Sequence, residues 1–299
     1  MIKVLTAGLT YDHLNYPENF RLPPIQQGQE KRERFSPKAA IVWSPRPELT
    51  LRGIYSRALG GVSYDESFRL EPTQLAGFNQ AFRTIISESE VGSVAAPTYE
   101  VLGGAIDLKL KTRTYVGLDA QFLDSKVRRT IGLFEFEIEP PATPSSTREH
   151  LDYREQSVGA TFNQLLGEEW SLGAQYRFTS SRLQDTFPSL DPSLNLNREL
   201  RADLHQVNVF ALFNHRSGFF GRAELRWYGQ NNSGYDQPLP GDEFVQLNLY
   251  LGYRFWRQRG EITIGGLNLT GADYRLNPLN VYSELPRTRV FYTRLRLNF

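Results

Sequence analysis

The sequence contains no cysteine and a single methionine among 299 residues. Disulfides, thiolate nucleophiles and thiolate metal sites are therefore excluded together, and the lack of a spare thiol fits an oxidising compartment. Long apolar runs are missing too. No stretch approaches the roughly 18 uninterrupted apolar residues that a membrane-spanning helix needs, and mean hydropathy is −0.44. A helical membrane protein is thus excluded, but a membrane β-barrel is not, because lipid-facing and lumen-facing side chains alternate and average to a polar total. An excess of either charge is also absent: 34 basic and 33 acidic residues leave +1, which is no electrostatic footprint for nucleic acid. Residues 1–11, MIKVLTAGLTY, lack the apolar core and small-residue cleavage site of a signal peptide. Since residues 2–12 already alternate as a strand, the expectation is a fragment whose Met1 stands where upstream sequence was cut or lost.

What the chain does have is period-2 alternation. At the C-terminus Phe291, Thr293, Leu295, Leu297 and Phe299 share one face against Tyr292, Arg294, Arg296 and Asn298. Val245, Leu247, Leu249, Leu251, Tyr253 and Phe255 oppose Gln246, Asn248, Tyr250 and Arg254, and Ala223, Leu225 and Trp227 oppose Arg222, Glu224 and Arg226. About twelve such segments, each near the length a tilted strand needs to cross a bilayer, fall at 2–12, 34–44, 49–58, 98–110, 114–125, 153–166, 170–180, 203–215, 219–229, 243–256, 260–268 and 288–299.

Connections between these segments alternate in length. Short turns occupy 45–48, 111–113, 167–169, 216–218 and 257–259; long polar loops occupy 15–33, 59–97, 126–152, 181–202, 231–242 and 269–287. Short periplasmic turns and long extracellular loops are the pattern of outer-membrane barrels, and a soluble sandwich has no reason to sort loops by parity. Aromatic residues sort the same way. Trp43, Trp170, Phe219, Phe255 and Phe299 stand at the short-turn ends on apolar parity, and Tyr11, Tyr55, Phe178, Trp227 and Phe291 at the long-loop ends, as interfacial girdles require. The fold class expected is all-β: an antiparallel up-and-down transmembrane β-barrel of about twelve strands in a Gram-negative-type outer membrane. It forms one domain over 1–299, either closing on its own strands or forming part of a larger wall.

The stretch 265–274, GGLNLTGADY, resembles a signature of the penultimate strand and last extracellular loop in TonB-dependent receptors. Pro286, Arg287 and Arg289 resemble that family's entry into its final strand, and FSPKAAIVWSP (35–45) followed by LTLRGIYSR (49–57) resembles a hairpin recurrent in it. The resemblance implies the C-terminal part of a receptor barrel that takes up a small nutrient or metal chelate. It also implies recognition of the last strand by the barrel-assembly machinery and coupling to TonB through a plug domain that this chain lacks. The alternative is a passive or export porin-type channel without a plug.

Several residue groups are candidates for function. The 59–97 loop is long for a solvated connector and carries Tyr64, Asp65, Glu66, Phe68, Arg69, Phe78, Gln80, Phe82 and Arg83, which suit a contact with ligand or plug. Residues 72–86 allow a short helix, with Leu75, Phe78, Phe82 and Ile85 near helical spacing. Arg222, Glu224, Arg226, Arg254, Arg294 and Arg296 have lumen parity, mixed in sign but mainly basic, which favours anionic solutes, an acidic plug surface or mutual pairing. Phe291, Leu295, Leu297 and Phe299 form a lipid-compatible terminal strand suited as an assembly signal. Lys126, Arg128 and Arg129 open a loop and are either a solvated charge run or a contact for lipopolysaccharide phosphates.

His13, His150, His205 and His215 lie at loop edges or strand ends without metal-ligand spacing, so no metal and no cofactor is expected. Some twelve-stranded outer-membrane barrels are phospholipases, but no serine here neighbours a histidine in a recognisable motif. No catalytic residue is assigned, and the protein is expected not to be an enzyme.

Overall fold

A computed structural model describes residues 2–18, 28–62, 74–79, 84–134, 144–235, 239, 241–256, 259–275 and 285–298. Its elements are β1 (Ile2–Pro17), β2 (Gln29–Arg46), β3 (Leu49–Leu59), β4 (Gln74–Leu75), β5 (Phe78–Asn79), β6 (Thr98–Lys109) and β7 (Thr114–Phe134). They continue with β8 (Pro144–Leu166), β9 (Trp170–Thr186), β10 (Arg198–Asn214), β11 (Phe219–Ser233), β12 (Glu243–Phe255), β13 (Gly260–Leu267) and β14 (Val290–Leu297). The twelve long strands form one antiparallel sheet in chain order, from β1 at one edge to β14 at the other, while β4 and β5 pair only with each other. Among the described residues no ladder joins β1 to β14, so the sheet is an up-and-down wall with two edges.

Alternation dictates which face turns which way. Along β12, Gln246 and Asn248 are 0% and 2% exposed, whereas Val245, Leu249 and Leu251 are 39%, 42% and 70% exposed. A soluble sheet does the reverse. Each Leu or Phe left open to water forgoes roughly 1.5–3 kcal/mol of burial, and this face also exposes Leu5, Leu9, Leu102, Leu118, Ile264, Phe291 and Leu295. The oily face therefore belongs against hydrocarbon, where the sheet's own hydrogen-bonded ladders satisfy the backbone. Side chains on the opposite face of β6 to β10 and β12 converge with Tyr274 and Leu285 in one buried cluster, so that face is concave.

Aromatic rings mark the two edges of the oily band. Trp170 packs on Phe213 at 4.7 Å and Phe219 on Tyr253 at 4.8 Å near the short turns, and Tyr11 packs on Phe35 at 5.0 Å near the long loops. Phe35 and Trp43, Trp170 and Phe178, and Phe219 and Trp227 are each eight positions apart on one strand. Eight residues rise about 26 Å along a strand, or roughly 20 Å of height at a tilt near 40°, close to the apolar band of known barrels.

The strands are longer than alternation alone indicates. β7 and β8 run on through much of the expected 126–152 loop, and β9 and β10 through much of 181–202. Lys126, Arg128 and Arg129 consequently lie inside β7 rather than at the start of a loop, and each pairs with a carboxylate: Asp124, Asp152 and Glu149 respectively. His13, His150 and His205 likewise lie within β1, β8 and β10. The helix expected over 72–86 is replaced at 74–79 by a tight hairpin. Its turn residues Ala76 and Gly77 have φ of 50° and 82°, the left-handed values a two-residue hairpin turn demands and a helix forbids.

Candidate functional site

The concave face is built in tiers. Nearest the long loops it is apolar: Tyr99, Val101, Leu123, Val127, Leu151, Tyr153, Leu183 and Leu200 point inward from successive strands. Segment 84–97 folds into this ring, burying Ile85, Ile86 and Val91 almost completely. Polar contacts fix its course: Ile85 N–H donates to Glu155 Oε2 at 3.2 Å, Arg198 pairs with Glu90 at 2.9 Å, and Arg32 donates to the Ala96 carbonyl at 2.9 Å. On the β12 side Tyr274 stacks on Phe244 at 4.6 Å and donates to the Leu285 carbonyl at 2.6 Å.

Asn268 anchors this second wall of the mouth. It is fully buried, its amide donates to the carbonyls of Ala272 and Pro286 at 2.9 Å each, and its Oδ1 accepts from Ala272 N–H at 2.9 Å. Its own backbone N–H reaches Asn248 Oδ1 at 2.8 Å. The asparagine of the GGLNLTGADY stretch thus ties the last long loop to the end of β13.

Beneath the apolar tier the wall is charged and largely self-neutralising. Arg177 meets Asp119 at 3.0 Å; Glu224, 1% exposed, holds Arg222 and Arg226 at 3.0 Å each and accepts from Asn248 at 3.3 Å. Asp119, Thr161, Gln175, Arg177, Asn208 and Arg226 line a recess of about 320 Å³ there. Lower still, Glu261 is shared by Arg254 at 3.1 Å and Arg294 at 3.4 Å, with Arg296 directly across from it on β14. Toward the first edge, Arg52 pairs with Asp107 at 2.7 Å, donates to the Ala76 carbonyl at 3.0 Å and lies over the Phe78 ring.

Every basic and acidic residue of the lumen-parity group therefore sits on the concave face. Of the loop candidates, Phe78 packs with Leu75 against Ala40, Ile54 and Ala105 on that same face. Tyr64, Asp65, Glu66, Phe68, Arg69, Gln80, Phe82 and Arg83 lie outside the described residues, as does Phe299. Phe291, Leu295 and Leu297 project from the opposite, convex face of β14. Glu155, Tyr153 and Ile86 join the site without any motif of their own; the apolar Ile85-Ile86 pair inside a polar loop is the one trace of it in the sequence.

Glu155 stands three positions beyond Val158, which is level with the aromatic Phe178, and so lies outside the membrane-spanning part of β8. Burial pushes its carboxyl up to about 7, against the lowering pull of the Tyr153 hydroxyl, the Ile85 amide and the Arg177 charge. A carboxyl whose folded value lies above its ordinary one favours the folded arrangement most below that ordinary value. The advantage is lost as pH rises through about 7. Part of the side chain stays open to the concavity, which moderates the effect. Protease cleavage within 84–97 is expected to be several-fold faster at pH 8 than at pH 5, and pH-independent in Glu155→Gln. A wild-type rate that does not change with pH would contradict this.

A lipid-compatible convex face ringed by aromatics and a polar, charge-paired concave face define an integral β-barrel protein of the outer membrane. The family model described as TonB dependent receptor-like, beta-barrel matches residues 4–269, and the chain belongs to that family. Among solved structures, a Pseudomonas aeruginosa FadL homologue is 12% identical, with a TM-score of 0.35 over 89% of this chain and 70% of its own. The Pseudomonas putida toluene transporter TodX is 9% identical, with a TM-score of 0.35 over 89% and 73%. OmpT, an outer membrane protein of Vibrio cholerae, is 10% identical, with a TM-score of 0.32 over 99% of both chains. No curated protein matches the sequence.

Proposed function

We propose that this outer-membrane transporter barrel serves the uptake of a small nutrient or metal chelate, as the C-terminal part of a receptor whose plug engages TonB. The supporting observation is the mouth: residues 84–97 and the Tyr274–Leu285 contact fill it with apolar side chains, while the wall below presents paired arginines and carboxamides. A passive pore needs a continuous wet path; a receptor needs an entrance that stays shut until ligand and energy act on it. The reading assigns no chemical step to the chain and therefore no catalytic residue. It also takes the barrel-assembly machinery as the partner for insertion, through the terminal apolar row Phe291, Leu295, Leu297 and Phe299.

Planar-bilayer recording on the refolded chain tests this. The receptor reading expects no steady conductance, together with saturable binding of at least one ferric chelate or small nutrient in a fluorescence panel. Steady ohmic conductance without binding would instead establish the porin-type alternative.

A further inference from the structure

The recess beneath the apolar tier is built by two neighbouring cross-strand rows of the concave face. Thr161, Gln175, Asn208 and Arg226 stand directly across from one another on β8 to β11. One step nearer the mouth, Asp119, Gly159, Arg177, Gln206 and Tyr228 do the same on β7 to β11. Gly159 lacks the Cβ that would collide with the Asp119 carboxylate, so Asp119 lies across it and meets Arg177, one strand further on, at 3.0 Å. The cavity so opened measures about 320 Å³, at the small end of the roughly 300–1,000 Å³ that ligand sites occupy.

Every charge lining the recess is met inside the protein. Arg177 has Asp119, and Arg226 shares Glu224 with Arg222 at 3.0 Å each. Of the carboxylates toward the mouth, Glu155 accepts from the Tyr153 hydroxyl and the Ile85 amide, and Asp242 accepts from the Arg275 amide at 2.6 Å. On the β6 side Asp107 is paired with Arg52, and Lys109 lies over the Tyr115 ring, two strands away from Thr161. The uncommitted groups are neutral. The side chains of Thr161, Gln206 and Tyr228 and the amide nitrogen of Gln175 make no hydrogen bond to any described residue. The paired guanidiniums and carboxylates beside them keep further N–H groups and lone pairs free, and bonds to such groups are roughly twice as strong as neutral ones.

Donors and acceptors thus alternate over a small area in which no charge is left over. A hydroxyl both donates and accepts, so a solute rich in hydroxyls can satisfy this lining. An ion entering it gives up hydration and finds no free counter-charge in return. We infer that the recess is a subsite for a neutral, polyhydroxylated solute of about one or two sugar rings, and that it turns away ions of either sign. The inference rests on the uptake reading above and narrows its solute. Mutual pairing of the mixed-sign row, and not an excess of arginine, sets this preference.

The test is calorimetric titration of the refolded full chain in zwitterionic micelles with a panel of neutral mono- and disaccharides and the uronate and amino-sugar counterpart of each monosaccharide. At least one neutral sugar is expected to bind saturably, about tenfold or more tightly than its charged counterparts. Its affinity is expected to stay constant between about 50 and 500 mM salt. Thr161→Val and Gln206→Leu remove groups that hold nothing in the fold, so each is expected to weaken binding about fivefold while thermal unfolding stays as in wild type. Thr6→Val, across from Ala40 on the concave face of β1, is expected to bind as wild type does. No neutral sugar bound, a uronate bound as tightly, or an affinity that falls with salt would overturn the proposal. So would no loss in the first two variants, or equal losses in all three. A chain that holds a charged chelate but no neutral sugar refutes this subsite and leaves the uptake reading standing; steady ohmic conductance with a neutral sugar bound does the reverse.

Discussion

Leu118→Arg is expected to lower the stability of the folded protein in phospholipid vesicles by about 2–4 kcal/mol, measured by equilibrium urea unfolding. Leu118 is 53% exposed on the convex face, directly across from Ile106 on β6 and Ala160 on β8. It lies near mid-height between the two aromatic lines, where a cation is furthest from water and from any headgroup it could reach. Gln121→Arg, three residues on but on the concave face between Gly103 and Ser157, is expected to stay within about 1 kcal/mol, because the lumen solvates the charge. Val158→Arg, level with the upper ring line, is expected to fall near 0–1 kcal/mol. The account requires this ordering: large at mid-height, small at the rim, small on the inner face. Equal costs at Leu118 and Gln121 would remove the distinction between the faces.

A second large effect is expected at Glu224. Its carboxylate is 1% exposed and neutralises both Arg222 and Arg226 while accepting from Asn248. Glu224→Ala leaves two guanidiniums and one amide without their partner. Breaking a buried ion pair on one side costs about 3–5 kcal/mol. Here the side chain of Arg222 is 42% exposed and that of Arg226 24%, so lumen water relieves part of the penalty and the expected loss is about 2 kcal/mol. Glu224→Gln keeps an acceptor for Asn248 and is expected to cost roughly half as much. Removing Arg222 as well, in Glu224→Gln with Arg222→Gln, is expected to restore part of the loss. Additive losses in the double variant would mean that the two side chains do not act as a pair.

The spanning part of the fold was legible because the membrane forces a strict rule on it: apolar out, polar in, two residues per repeat. That rule set the strand order, the turn parity and the inner-face residues Arg222, Glu224, Arg226, Arg254 and Arg294. Beyond the upper ring line the rule reverses. Leu151, Tyr153 and Leu183 turn inward to pack on segment 84–97, while Arg154 and Arg182 turn outward. Each strand keeps its period of two but exchanges the chemistry of its faces, so a reading tuned to lipid-facing parity stops there and takes the rest as loop. The expected helix failed for a local reason, since Ala76-Gly77 adopts a hairpin turn that helical spacing of Leu75 and Phe78 does not reveal. Glu155 and Ile85 meet across 70 positions of sequence, a pairing fixed by where the loop re-enters the mouth and not by any adjacent motif.

Because the chain has no native cysteine, single cysteines placed in turn from Val245 to Leu251 can carry a fluorophore without background. Quenching by nitroxide on lipid tails and by a water-soluble quencher then reads the environment of each position. The account predicts strict alternation: residues 245, 247, 249 and 251 are quenched from the lipid, and 246, 248 and 250 are protected from the lipid quencher, 246 and 248 being buried on the concave face. Lipid quenching that does not alternate along this stretch of β12, or quenching of 245, 247, 249 and 251 from water alone, would contradict it.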